Sequence, residues 1–211
     1  GVVFTDDVTA YENMKLSLLN ASHTLLAYPS FLAGYRKVDE AMRDNRFEVL
    51  LRNFMDIDIT PYVPAPGKTD LKVYKQTLIE RFGNRAVSDQ ISRLCGDGAS
   101  KYPVYVIPNL LKMIADDKVM DRVAFSIASY RHYLKYKVDD RGVSFEINDP
   151  WLTKDDVDRI GSDDPADFLD TSVFAKAELR NVKSFVDTYT TMVNGIKQDG
   201  VLKVLESILI K

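Results

Sequence analysis

The chain has 211 residues, 45 % of them hydrophobic and 28 % charged, with a net charge of −3. That is enough apolar material for one large core, and with no basic patch interleaved with aromatics it excludes a nucleic-acid-binding footprint. The single cysteine excludes an internal disulfide; no apolar run approaches the ~20 residues of a membrane span, and nothing at the start reads as a signal peptide, so no membrane contact and a cytoplasmic location are expected.

Helical periodicity dominates from the first element onward. Thr9 and Glu12 are spaced as a capping box, and no Gly or Pro follows until Pro29, which predicts one long helix. Residues 35–43 and 45–55 read as helical pieces, and the prolines of 60–67 mark a loop. An amphipathic helix over 70–82 stops at Gly83-Asn84, and a short one over 88–95 stops at Gly96. The Gly96-Asp97-Gly98 run predicts a turn. Helices follow over 103–115 and 120–136, the second apolar enough to be central. Residues 137–149 alternate around Asp139-Asp140-Arg141-Gly142 and give the one credible hairpin. Thr153 predicts the cap of a short helix, and 181–194 and 201–210 complete the chain. The expected fold is therefore all-α: a single multi-helix domain over residues 1–211 with at most a small β-hairpin.

The run from Lys15 to His23 carries most of the chemical information. It reads K-x4-N-x2-H within an otherwise greasy helical stretch (Leu16, Leu18, Leu19, Leu25, Leu26). At ~100° per residue His23 lies about 80° from Lys15 and Asn20 about 140° from it. Asn20 and His23, three apart, are neighbours. Such polar groups are costly to bury unless something binds them. By residue type alone, a snorkelling lysine and a satisfied core histidine are the commoner outcome. Arg93 and Lys101, on either side of the Gly96 turn, fit two surface cations equally simply. One Cys and two widely spaced His give no metal-ligand cluster. The Asp-rich run from Asp155 to Asp167 lacks calcium-loop spacing and reads as a solvated face. Cys95 reads as buried and inert, His132 as structural or exposed, and Trp151 as a packing anchor. No G-x-G-x-x-G opens a βαβ unit, and the Gly96–Lys101 run follows a helix with the wrong spacing for a phosphate loop.

The stretch from Asp6 to His23 resembles the C-terminal domain of the mannitol dehydrogenase family, long-chain polyol-specific dehydrogenases that work without a metal. Glu80-Arg81-Phe82-Gly83-Asn84, Asp89-Gln90 and Arg93 to Lys101 match as well, as does Glu146-Ile147-Asn148-Asp149-Pro150. Arg85, Asp39 and Tyr130 depart from the family's usual Pro, His and Trp.

The resemblance implies that Lys15 is the catalytic acid and base and Asn20 the catalytic amide donor to the reacting oxygen. It implies His23, Arg93 and Lys101 as substrate contacts. A free lysine, with a pKa of ~10.4, is too basic to serve near neutrality unless burial or nearby cations lower it, and Arg93 and Lys101 are the cations available. The cofactor implied is NAD or NADP, bound by an N-terminal Rossmann domain that is expected to be a partner and to be absent from this chain. The isolated fragment is then expected to be inactive.

The leading expectation is the substrate domain of a mannitol/fructose-type dehydrogenase, acting on a polyol or ketose. A hexuronate reductase of the fructuronate/mannonate type is the rival within the same chemistry, because three cations suit a sugar-acid carboxylate. A non-catalytic helical interaction module is the alternative from another class.

Overall fold

The computed structural model describes residues 8–209. Its helices in chain order are α1 (Val8–Met14), α2 (Ala21–Leu32), α3 (Val38–Met42), α4 (Asn45–Asn53), α5 (Leu71–Phe82), α6 (Ile91–Cys95), α7 (Gly98–Lys101), α8 (Ile107–Ala115), α9 (Asp121–Tyr136), α10 (Lys154–Gly161), α11 (Lys183–Asp199) and α12 (Val201–Leu209). Among the described residues pairing of extended chain is limited to two isolated bridges, Lys37 with Gln90 and Val138 with Ser144. The all-α expectation holds, and the predicted hairpin over 137–149 shrinks to the second bridge, closed by Phe145 N–H to the Lys137 carbonyl at 3.1 Å.

The core is organised on α9. Every residue from Arg122 to Arg131 is buried, and the helix packs against α2 on one side and α11 on another. Each fully buried Phe, Ile or Leu in such a helix contributes roughly 1.5–3 kcal/mol by removing apolar surface from water. Tyr28 of α2 and Tyr102 lie against Tyr130 with ring centroids 4.5 and 5.0 Å away. These rings form the floor beneath the site described below.

Three widened, π-type turns interrupt the α-helical course: Lys15–Asn20, Phe54–Ile59 and Tyr102–Val106. The first packs against both of the others. Two have a local cause in sequence. A proline ring clashes with the carbonyl four residues before it, and Pro61 and Pro108 aim that clash at Ile57 and Val104, each inside a widened turn. The Lys15–Asn20 turn has no such proline; it holds the polar residues instead. A buried ion pair pins the second turn to α9: Arg122 donates Nε to Asp58 Oδ2 at 2.6 Å and Nη2 to Oδ1 at 2.5 Å.

Several local expectations are corrected. Val8 is already helical, so Thr9 lies within α1 rather than flanking it, and the Thr9–Glu12 capping box is not its start. Asp6 and Asp7 lie outside the described residues. Helix α6 begins at Ile91 instead of 88, because Ser88 has a φ of +41° that no helix accepts. Helix α2 runs through Pro29 to Leu32, so the proline does not end the helix, although it removes the amide that would bond four residues back. Trp151, read as a packing anchor, is 64 % exposed. Asp156, placed on a solvated face, is buried: it completes a capping box with Thr153 and accepts from the Ser172 amide and hydroxyl at 2.6 and 2.7 Å.

Candidate active site

The Lys15–Asn20 turn changes the geometry of the K-x4-N-x2-H run. The Ala21 amide reaches the Leu16 carbonyl, five residues back. In a turn closed at that spacing, residues five apart come over one another, as residues four apart do in an α-helix. Lys15 and Asn20 therefore share a face, where ordinary α-helical spacing sets them about 140° apart. Lys15 is exposed, and Asn20 and His23 are half-buried. The Thr24 hydroxyl donates to the Asn20 carbonyl at 3.1 Å, fixing the exit from the turn. Among the described residues the Asn20 carboxamide and the His23 ring nitrogens make no hydrogen bond.

A cleft of about 270 Å³ opens at this point, lined by Asn20, His23, Thr24, Arg93, Lys101 and Tyr105, with Leu94 beneath. Four of the five polar residues singled out in the sequence thus share one cleft. Lys15 stands outside its lining, exposed one turn before Asn20. His23 packs against Phe82, ring centroids 4.6 Å apart. Burial pushes its pKa down to about 4; Asp89 opposes that shift, and Arg93, Arg81 and Lys101 add to it. The imidazole is neutral at pH 7, so it offers one donor and one acceptor to a ligand.

The opposite wall is a rigid turn. Gly96 and Gly98 flank Asp97, whose φ is +60°. A Cβ on Gly98 would overlap the Tyr28 hydroxyl and the Tyr130 ring, so only glycine lets this turn settle on the aromatic floor. The Asp97 amide donates to the Asn148 carbonyl at 3.3 Å. Asp149 Oδ2 accepts from the Ala99 amide at 3.0 Å and from the Tyr130 hydroxyl at 2.6 Å. The Asn148-Asp149-Pro150 stretch is thereby a clamp on the turn, and Tyr130, a departure from the family pattern, supplies part of it. Lys101 Nζ donates to the carbonyls of Leu94, at 3.0 Å, and of Gly96. Two of its three N–H groups complete the end of α6, and one remains for a ligand. Burial lowers the Lys101 pKa, opposed by Asp97.

Arg93 is held differently. Its Nε donates to Asp89 Oδ1 at 2.9 Å and its Nη2 to Oδ2, a two-point pair four residues apart. The guanidinium holds the Asp89 carboxyl below its ordinary range. Beyond His23 and Arg93 lies a second compartment of about 190 Å³, lined in part by Arg81, Ser88 and Asp89. Asp89, Thr24 and Tyr105 were not singled out as site residues from sequence. For Asp89 the signals in the sequence were its place in the family-like Asp89-Gln90 pair and its four-residue spacing from Arg93. Cys95 is buried, and burial pushes its thiol up, which leaves it inert. His132 is away from the cleft, against Tyr136. Among the described residues no three His, Cys, Asp or Glu side chains converge as a metal site, and no helix is long and apolar enough to cross a membrane.

The profile of the mannitol dehydrogenase C-terminal domain matches residues 7–197. The chain belongs to this family. It is 36 % identical over 209 residues to mannitol 2-dehydrogenase of Aspergillus fumigatus, covering 97 % of this chain and 41 % of that protein. It is 37 % identical over 150 residues to the polyol:NADP oxidoreductase of Gluconobacter oxydans, covering 71 % of this chain and 31 % of that protein. Among solved structures, Pseudomonas fluorescens mannitol 2-dehydrogenase in a ternary complex with NAD and D-mannitol superposes with a TM-score of 0.91 at 40 % identity. The superposition covers all of this chain and 43 % of that one. As a mannitol dehydrogenase C-terminal domain, the chain spans about 41 % of the length of the first curated relatives it matches.

Proposed function

We propose that this chain is the substrate-side, C-terminal part of an NAD- or NADP-dependent dehydrogenase that interconverts a sugar alcohol and a ketose of the mannitol/fructose type. The observation that carries it is the cleft: Asn20 and His23, without hydrogen bonds of their own among the described residues, face Arg93 and Lys101 across a space of about 270 Å³. A polyol presents a row of hydroxyls that both donate and accept, which a neutral imidazole, a carboxamide and two cations match.

The dinucleotide itself does not fit these residues. The glycine-flanked turn at Gly96–Gly98 is filled from behind by Tyr28 and Tyr130, and it follows helix α6 rather than a strand. The cofactor is then held by a separate N-terminal dinucleotide-binding domain, which supplies the hydride chemistry. The work of this chain is the proton and the orientation. Lys15 takes the proton of the reacting hydroxyl during oxidation and returns it during reduction. The Asn20 N–H donates to the oxygen as negative charge develops on it. His23 holds a neighbouring hydroxyl, and Arg93 and Lys101 fix the rest of the substrate. The widened turn supports the pairing of Lys15 and Asn20 on one oxygen, because it brings them to one face. The single buried cysteine accords with a cytoplasmic enzyme.

A sugar-acid substrate is the second reading. The geometry favours a neutral one, since Asp89 takes the Nε–Nη2 edge of Arg93 and two Lys101 donors are taken by carbonyls. The test is an assay of the full-length protein with NADH and NADPH against D-fructose, D-xylulose and D-fructuronate. Reduction of a neutral ketose supports the proposal. Activity on fructuronate alone replaces it with the hexuronate reading, and no activity with any of the three returns the chain to the class of interaction modules.

A further inference from the structure

Asp89 is fixed more firmly than the arginine it holds. Its side chain is 24 % exposed against 70 % for Arg93. Its carbonyl accepts the Val38 amide at 3.0 Å, and its Oδ1 accepts the Gln90 amide at 2.9 Å. Oδ2 carries a single hydrogen bond, from Arg93, and so retains capacity to accept another. Asp89 also lines the compartment beyond His23, which adjoins the cleft across the shared side chains of His23 and Arg93.

Resting on the polyol reading above, we propose that Asp89 is the specificity-determining residue of this cleft, selecting neutral polyols and ketoses against sugar acids. It acts in two ways. It occupies the Nε–Nη2 edge of Arg93, one of the two edges on which the guanidinium can take a carboxylate at two points. It also places a negative charge where a terminal carboxylate of the substrate has to lie, while its free lone pair accepts a terminal hydroxyl. Selection by attraction to one ligand and repulsion of its rival is stronger than either alone. The carboxyl, held low by Arg93, stays charged throughout the neutral range.

The experiment uses the full-length enzyme and compares kcat/KM for D-fructose and D-fructuronate in the wild type, Asp89→Asn and Asp89→Glu. D89N should shift the preference toward fructuronate by about tenfold or more, the scale of one charge-assisted hydrogen bond. The shift should arise mainly in KM. D89E, which keeps the charge, should retain the wild-type preference. A merely structural role would lower both substrates together and leave the ratio unmoved, and that result overturns the assignment. The wild type gives a second reading if D89N does not fold: D-mannonate should inhibit mannitol oxidation more weakly than the neutral D-arabinitol does, and tighter inhibition by the acid overturns the assignment. A wild type that reduces no neutral ketose contradicts the polyol reading itself. One that reduces fructose while D89N keeps the ratio contradicts only the role of Asp89.

Discussion

The ammonium of Lys101 donates to the main-chain carbonyl of Leu94 at 3.0 Å, seven residues back across the Gly96 turn. One side chain therefore closes the end of α6 and faces the cleft. Lys101→Met should lose on both counts. Leaving the Leu94 and Gly96 carbonyls without their donor should cost about 1–3 kcal/mol, read by urea denaturation of the chain. In the full-length enzyme KM for the polyol should rise. Lost affinity with unchanged stability would show that the carbonyl contacts contribute nothing.

The Asp58–Arg122 pair predicts a larger loss of stability. Both residues are buried, and burial raises the Asp58 pKa against the lowering by Arg122. Arg122→Met leaves a buried carboxylate unpaired, which should destabilise the chain by about 3–5 kcal/mol. A denaturation midpoint within error of the wild type would contradict this.

Acid sensitivity should begin above the range where carboxylates titrate. His23 and His132 both have pKa values pushed down to about 4, in each case chiefly by burial. The unfolded chain takes up these protons near 6.5 and the folded chain only near 4. Between those values the unfolded state binds more protons, so stability falls as pH falls. The melting temperature should decline from about pH 6.5 downward, and His132→Gln should flatten that decline without touching the cleft. An unchanged slope in H132Q would remove His132 from the account.

Much of this was legible in the sequence. Helical periodicity gave the all-α fold, Thr153 marked a true cap, and four of the five polar residues converge. What was not legible has physical causes. The widened turn at Lys15–Asn20 has no proline to announce it, so ordinary α-helical spacing misplaced Asn20 relative to Lys15. Ser88 has a positive φ that its residue type does not advertise. Trp151 lies exposed because packing, which decides burial, is set by distant segments. The role of Asp149 as a clamp depends on Tyr130 and Ala99, far away in the chain.

The chain alone should not bind a nicotinamide dinucleotide. Pyrophosphate recognition needs a glycine-rich turn opening onto a helix N-terminus, and the Gly96–Gly98 turn is closed by aromatic rings. Calorimetric titration of the 211-residue chain with NADH and NADPH should show no saturable heat. Micromolar binding would place a cofactor site on this chain and overturn the division of labour proposed above.

Turnover of Lys15→Ala in the full-length enzyme tests the central proposal most directly. A general acid–base group contributes typically ~10²- to 10⁴-fold, mostly in the transition state. We expect kcat for polyol oxidation to fall by that order while KM changes little, and small primary amines added to the assay to restore part of the rate. Near-wild-type turnover in K15A, with no response to added amine, would mean that another group moves the proton and that Lys15 is only an exposed surface lysine.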